Sequence, residues 1–286
     1  MSRLGTLPQS RAARLALCLA TVAMLAVGGA ACTSGGSPNL GSGGETTGPP
    51  DNSRPGQAPT PASRCDQSGN DPVTKMVLTT SDGVKLAAAR FGSGPRGVVL
   101  LPQRGVDFCP WWYFAMQLVN RGFHVLAVDL RGTGYSEAGD RKDYTADAAA
   151  AVRALHVAGA QRVVIMGASQ GANVALVAAG RIPEQVAGVI TLSYTDNAFD
   201  ATGGAAGSGP RTPAEAAPLI NSAILLCWAQ GDRQVSGATP LAIYDKAGTS
   251  DKKLIGRAGV THGWDMLKVG DDDVTADVME FMEAHA

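Results

Sequence analysis

A serine between small residues is the first candidate for chemistry in this sequence. Ser169 lies in Gly167-Ala168-Ser169-Gln170-Gly171, between a predicted strand and a predicted helix. A sharp turn from strand to helix needs small neighbours, and it exposes the serine hydroxyl above the sheet. The helix N-terminus and the Gln170 amide would then face the oxyanion that forms when this hydroxyl attacks a carbonyl. The pattern predicts a nucleophilic serine, although a glycine-bounded turn without chemistry has the same spacing.

A nucleophilic serine needs a general base, and the chain has only four histidines. His124 falls in a predicted buried strand, His156 near the end of a predicted helix, and His285 beside the last residue. His262 alone follows a predicted strand in a loop, and a ring there would reach Ser169. We therefore expect His262 to be the base, the alternative being a solvated loop histidine.

An acid that orients the histidine should also follow a strand. Asp232, in Ala229-Gln230-Gly231-Asp232-Arg233, comes directly after a strand-like apolar run. A buried carboxylate against the imidazole would fix the tautomer and stabilise the imidazolium. Asp196 follows the preceding strand and is the competing candidate, but we favour Asp232.

These residues need a scaffold of alternating strands and helices. A turn at Ser81-Asp82-Gly83 predicts an initial hairpin. Apolar runs and helical periodicity then predict the remaining elements. The predicted strands are Val73–Thr80, Val84–Phe91, Val98–Leu101, Phe123–Val128, Arg162–Met166, Val186–Leu192, Ala223–Trp228 and Lys253–Gly256. The predicted helices are Trp111–Asn120, Ala146–Val157, Gln170–Gly180, Thr239–Ala247 and Val274–Ala284.

This order of elements predicts the α/β class, a mostly parallel twisted sheet with an N-terminal antiparallel hairpin and helices on both faces. Ligands bind beyond the carboxyl ends of the strands in such sheets. Ser169, Asp232 and His262 all follow strands and therefore should meet at one edge.

The segment 73–286 resembles the α/β-hydrolase superfamily. The resemblance rests on the order of nucleophile, acid and histidine, filled here by Ser169, Asp232 and His262, and on the pairs Gly231-Asp232 and His262-Gly263. It implies an α/β-hydrolase fold and a serine hydrolase that cleaves carboxylic esters or thioesters without a metal or an organic cofactor. A peptidase of the same fold, or a binding protein that has kept the fold without catalysis, is the alternative.

The segment Val128-Asp129-Leu130-Arg131-Gly132-Thr133-Gly134-Tyr135-Ser136 also resembles a motif of the superfamily. That motif holds a loop beside the active site, so the resemblance implies structural roles for Asp129 and Arg131.

The turn after Leu101 departs from the pattern of the superfamily. His-Gly usually follows this strand, whereas Pro102-Gln103-Arg104-Gly105 stands here. Pro102 has no amide proton. The oxyanion donors are therefore expected to be the amides of Gln170 and of Gln103 or Arg104. The Arg104 side chain is either a solvated charge or a contact for an acidic substrate.

The stretch between the strands ending at Leu192 and beginning at Ala223 is where many lipases of this fold have a helical lid. Small residues such as Ala201–Gly209 predict a minimal lid, an open pocket and small or soluble esters. Trp111, Trp112, Tyr113 and Trp264 either line this pocket or pack within a helix and a loop.

The N-terminal residues predict export. Arginines precede an apolar stretch, Leu15–Val27, that is too short to span a bilayer, and Gly28-Gly29-Ala30-Ala31 leads to Cys32. This arrangement resembles a bacterial lipoprotein signal with lipidation at Cys32; ordinary secretion with cleavage near Ala31 is the alternative. We expect a signal peptide at 1–31, a disordered Gly/Ser/Thr/Pro tether at 32–72 and the folded domain at 73–286. The localisation is then the cell envelope, with the membrane reached only through the lipid anchor.

Export allows disulfides to persist. With Cys18 removed and Cys32 lipidated, Cys227 falls in a core strand, which leaves Cys65 and Cys109 as the predicted bridge. No cysteine or histidine spacing suggests a metal site. A net charge of -1, without blocks of one sign, gives no basic face for nucleic acid, and the expected partner is a small ester.

Overall fold

The structure is a computed structural model that describes Cys65 and residues 73–205, 207–268, 270 and 273–286. The expected signal peptide, the lipidation site at Cys32 and nearly all of the tether lie outside the described residues. Within the described part of the chain, no helix is long and apolar enough to cross a membrane.

Eight strands of the described chain form one sheet in the order β1-β2-β4-β3-β5-β6-β7-β8. Their bounds are β1 Val73–Thr79, β2 Lys85–Phe91, β3 Arg96–Leu101, β4 His124–Val128, β5 Arg162–Ala168, β6 Gly188–Leu192, β7 Ala223–Ala229 and β8 Lys252–Arg257. β2 pairs antiparallel with β1 and with β4, and every other pairing is parallel. The predicted α/β class, the hairpin and the mostly parallel sheet are confirmed.

Helices cover both faces of this sheet. The described helices are α1 Trp112–Asn120, α2 Tyr144–Val157, α3 Gln170–Arg181, α4 Pro213–Ala216, α5 Ala238–Lys246 and α6 Thr275–His285. One apolar cluster includes residues of α2, α3 and α5, and a second includes residues of α1 and α6. Alternate side chains of a strand point to opposite faces, so strands such as β4 and β6 are apolar throughout because both faces are covered.

The connection from β6 to β7 contains little regular structure. In its described residues, 193–205 and 207–222, the one α-helix is the four-residue α4, followed by a 3₁₀ turn at Ala217–Leu219. A helix of one turn cannot form a large cap, so the predicted minimal lid is confirmed. The described part of this connection therefore has no helix longer than one turn.

The chain before β1 is joined to the loop after β3. A disulfide links Cys65 to Cys109, across a sequence separation of 44 residues. Cys109 begins a 3₁₀ turn, Cys109–Trp111, that leads into α1. Cys227 is a free cysteine buried in β7, as expected for a small core residue, and burial raises the pKa of its thiol.

Candidate active site

Ser169 occupies a strained turn between β5 and α3. Its φ and ψ are 52° and -113°, and only one other described non-glycine residue has a positive φ. Such a conformation costs about 1–3 kcal/mol and persists only where surrounding structure enforces it. The side chain is partly exposed and has no hydrogen-bond partner among the described residues. The turn therefore presents a free hydroxyl at the carboxyl edge of the sheet.

Two glycines make this turn sterically possible. A Cβ on Gly167 would lie 2.1 Å from the carbonyl oxygen of Gly171, and a Cβ on Gly171 would lie 2.4 Å from the carbonyl oxygen of Leu101. Both distances are far shorter than van der Waals contact. The small neighbours of Ser169 thus let α3 press against β5 and against the turn after β3.

His262 and Asp232 form a close pair at the same edge. Asp232 follows β7, and its Oδ2 atom lies 2.7 Å from Nδ1 of His262, which follows β8. The Asp232 side chain is 2% exposed and the His262 side chain 17% exposed. Oδ1 of Asp232 accepts a hydrogen bond from the backbone amide of Gln234, at 2.9 Å. With Nδ1 donating to the carboxylate, Nε2 is the nitrogen that can accept a proton.

Two hydrogen bonds connect the backbone at Ser169 to the backbone at His262. The Ser169 amide donates to the Leu192 carbonyl at 2.9 Å, and the amide of Gly263 donates to Oγ of Ser193 at 2.9 Å. Leu192 and Ser193 are adjacent, as are His262 and Gly263. The histidine loop therefore crosses the end of β7 to reach the end of β6, which neighbours the strand of the serine. No hydrogen bond between the Ser169 hydroxyl and the His262 ring is present among the described residues.

Ser193 was not identified as a site residue from the sequence. It is fully buried, has a φ of 54°, and its hydroxyl contacts Sδ of Met266 at 3.6 Å in addition to the Gly263 amide. The Ser193 hydroxyl therefore anchors the loop that carries His262. Nothing in the pattern around this serine distinguishes it from other small residues at strand ends.

The turn after β3 lies beside the nucleophile, as the expected oxyanion donors require. The amides of Gln103 and Arg104 donate no backbone hydrogen bond in the described loops, and neither does the amide of Gln170. The Gln103 side chain packs against Gly263. Its Oε1 atom lies 1.5 Å from where a Cβ of residue 263 would be. Gly263 has a φ of 64°, a backbone conformation that favours glycine beside His262.

Asp129 holds the loops on this side of the site. Its Oδ1 accepts from the Phe108 amide at 2.7 Å and its Oδ2 from the Tyr135 amide at 2.9 Å. Its hydrogen bond with Phe108 fixes the turn that carries Cys109. The arrangement matches the structural role that the resemblance implied.

Arg131 is buried between two carboxylates. Its guanidinium contacts Asp82 at 2.7 Å and Asp147 at 2.7 Å. The hydrogen bond from Arg131 lowers the pKa of Asp82 to about 2. Burial raises the pKa of Asp147 to about 6, against the opposing effect of the same guanidinium. The charge of Arg131 is therefore already compensated within the fold.

The other candidates from the sequence have different partners. Asp196 is exposed and accepts from the amide of Ala198 at 2.8 Å, so the carboxylate that pairs with the histidine is Asp232.

Trp111 and Trp112 are buried in aromatic contacts with Phe114 and Phe91, while Tyr113 is 75% exposed and Trp264 packs against the core. These aromatic residues are packing or surface residues, and none lines the cavity beside Gln170.

Comparisons with known proteins agree with this architecture. A family profile described as the alpha/beta hydrolase fold matches residues 98–215. An esterase of Pyrococcus furiosus has a TM-score of 0.61 and 19% identity, covering 74% of this chain and 92% of its own. No curated protein sequence gives a significant match.

Two further solved structures are similar. A predicted CIB-like hydrolase of Thermoplasma acidophilum has a TM-score of 0.59 and 17% identity, covering 74% of this chain and 98% of its own. A monoacylglycerol lipase of Paleococcus ferrophilus has a TM-score of 0.59 and 15% identity, covering 70% and 99%. Sequence identities this low support a similarity of fold and nothing further. The sheet order, the turn at Ser169 and these similarities together establish that the chain has the α/β-hydrolase fold.

Proposed function

We propose that this chain is a serine hydrolase that cleaves carboxylic esters or thioesters, with Ser169 as nucleophile, His262 as general base and Asp232 as the orienting acid. The observation that carries the proposal is the Asp232–His262 pair, whose loop is joined through the Ser193 side chain and the adjacent Leu192 carbonyl to the turn that exposes Ser169. A buried carboxylate against a histidine, at the same edge of the sheet as an unpartnered serine, supplies the groups that nucleophilic acyl transfer needs.

In the proposed mechanism, Nε2 of His262 takes the proton of the Ser169 hydroxyl as Oγ attacks the carbonyl carbon. The amides of Gln170 and of Gln103 or Arg104 donate to the resulting oxyanion, assisted by the positive end of α3. The imidazolium then gives its proton to the departing alkoxide or thiolate, leaving an acyl group on Ser169. Water, deprotonated by His262, releases the acid by the same steps. Asp232 stays ionised and stabilises the imidazolium.

Hydrolysis of 4-nitrophenyl esters of graded chain length tests the proposal. The wild type should hydrolyse short esters, since the connection from β6 to β7 forms no large helical cap, and Ser169→Ala should lower kcat/KM by at least about 10³-fold. Wild-type rates equal to the enzyme-free rate would instead favour a binding protein. A preference for long acyl chains would contradict the open pocket.

We also propose that the chain is exported and lipidated at Cys32, which would place the hydrolase in the cell envelope. The support is the arginine-flanked apolar stretch followed by small residues and Cys32. The full chain expressed in a bacterium should partition with membranes, and Cys32→Ala should release it. Continued partitioning of Cys32→Ala with membranes would contradict the anchor.

A further inference from the structure

A small cavity adjoins the candidate active site on its oxyanion side. It encloses about 280 Å³ and is lined by Gln170, Gln103 and Arg104 among others. Gln170 follows Ser169 directly, so this space begins within one residue of the nucleophile. Its volume lies just below the range of about 300–1,000 Å³ typical of small-molecule sites, which suits a small substituent.

The lining of this cavity carries excess positive charge. Arg104, Arg141 and Lys142 are exposed residues of its wall, and none has an ion-pair partner among the described residues. Asp140 is the one acidic residue among the lining residues. Arg131 also borders the cavity, but Asp82 and Asp147 compensate its charge. Three uncompensated cations thus face one carboxylate.

The backbone that carries these cations is fixed. The Arg141 carbonyl accepts a hydrogen bond from the buried Arg131 guanidinium at 3.0 Å, and the Lys142 carbonyl accepts from the Tyr144 amide at 3.0 Å. On the opposite wall, the Val106 amide closes the turn of Arg104 by donating to the Gln103 carbonyl at 3.3 Å. Two loops with hydrogen-bonded backbones therefore place Arg104, Arg141 and Lys142 in the lining of the same cavity.

We propose that this cavity binds a negatively charged group of the substrate, so that the preferred ester carries an anionic substituent near its scissile carbonyl. The inference rests on the proposed ester hydrolysis and adds the class of substrate. Arginine binds carboxylates with two parallel hydrogen bonds, and a cavity that excludes part of the water strengthens the attraction between the charges. A neutral ester of the same size leaves the three cations with water alone.

Two ester pairs test the proposal and distinguish the side of the ester that carries the charge. Mono-4-nitrophenyl adipate is compared with 4-nitrophenyl hexanoate for a charge on the acyl group. 4-Acetoxybenzoate is compared with its methyl ester for a charge on the alcohol. We measure kcat and KM for the wild type, Arg141→Ala and Lys142→Ala, correcting each for the enzyme-free rate. Arg153→Ala is the matched control, because Arg153 is an exposed cation on α2 outside the cavity lining.

The wild type should hydrolyse the charged member of at least one pair with a kcat/KM about tenfold above its neutral partner, mainly through KM. The substitutions in the cavity should each reduce this preference about three- to tenfold while leaving the neutral ester within about twofold, and Arg153→Ala should change neither. Raised salt should weaken the preference.

The opposite results separate the two proposals. Hydrolysis of the neutral and charged esters at equal rates, or equal losses on both in the Arg141 and Lys142 variants, would overturn the anionic substrate and leave ester hydrolysis standing. No hydrolysis of any of the four esters would overturn both.

Discussion

Two serines of this chain have a positive φ in common and have opposite surroundings. Ser169 follows β5 with a φ of 52°, and Ser193 follows the neighbouring β6 with a φ of 54°. Ser169 is partly exposed and has no hydrogen-bond partner among the described residues, whereas Ser193 is fully buried and bonded to the Gly263 amide. Ser169 thus exposes its hydroxyl to solvent, whereas Ser193 uses its hydroxyl to hold the loop that carries His262.

The difference shows what turns a strained serine into a candidate nucleophile. Backbone strain alone does not, because both residues have it. Ser169 has a helix N-terminus behind it and an imidazole loop beside it, while the hydroxyl of Ser193 is already used as an acceptor and as a donor. We therefore expect loss of chemistry from changes around Ser169, and loss of stability with displacement of the loop from changes at Ser193.

The largest effect tests the carboxylate that orients the imidazole beside Ser169 in the proposed mechanism. Asp232→Asn keeps the size of the side chain but removes the charge and favours the wrong tautomer of His262, so kcat should fall about 10⁴-fold. Asp196→Asn is the matched control and should change kcat less than about threefold, since Asp196 caps an exposed loop. Steady-state hydrolysis of a short 4-nitrophenyl ester measures both. Equal losses in the two variants would contradict the assignment of the acid.

The second effect comes from the disulfide between Cys65 and Cys109, which involves neither serine. Replacing both cysteines in Cys65→Ser/Cys109→Ser opens a link across 44 residues, which in the chain-entropy estimate costs about 4 kcal/mol of unfolding free energy. Activity of the folded variant at low temperature should stay within about threefold. Urea unfolding followed by circular dichroism, with and without reductant, gives the difference. An unchanged midpoint would show that the link does not constrain the unfolded chain.

The third effect separates the two serines directly. Ser193→Ala leaves the buried Gly263 amide without an acceptor, which should cost about 1–3 kcal/mol of unfolding free energy. Because Gly263 follows His262, kcat/KM should also fall about ten- to hundredfold through misplacement of the imidazole. Ser169→Ala should show the reverse balance, with unfolding free energy changed by less than about 1 kcal/mol. A Ser193→Ala protein with wild-type stability and activity would break the comparison.

The smallest effect concerns the ion pair between Asp82 and Arg131. The pKa of Asp82 is lowered to about 2 by Arg131, so its ionised form stabilises the folded chain above its ordinary pKa of 3.8. That stabilisation is lost as the pH falls through 2. Asp82 is partly exposed, so the difference between wild type and Asp82→Asn should be at most about 1 kcal/mol at neutral pH and should shrink towards pH 2. Urea titrations over this range measure it, and a difference that grows on acidification would contradict the sign.

Much of the scaffold could be predicted because its strands are continuous apolar runs. Val98–Leu101 was predicted and β3 extends it by two residues, to Arg96. β5 continues past Met166 to Ala168, because small residues that read as a turn are the ones that fit between the strand and α3. The 3₁₀ turn that precedes α1 has no periodicity to reveal it.

The site was predictable where its residues follow a local motif. Gly167–Gly171 identified the turn at Ser169 because that geometry is encoded by adjacent residues. The pairs between Ser193 and Gly263, and between Arg131 and Asp82, join segments that are distant in sequence. No local pattern marks such contacts, since they depend on how strands are ordered in the sheet.

Labelling with a fluorophosphonate tests the central assignment most directly, since the reagent modifies only a serine activated by its surroundings. Digestion and mass spectrometry of the labelled protein should give one adduct, on the peptide that contains Ser169. The adduct should disappear in Ser169→Ala, and Ser193→Ala should still be labelled, at a lower rate. A wild-type protein that takes up no label, or one labelled on Ser193, would contradict the account.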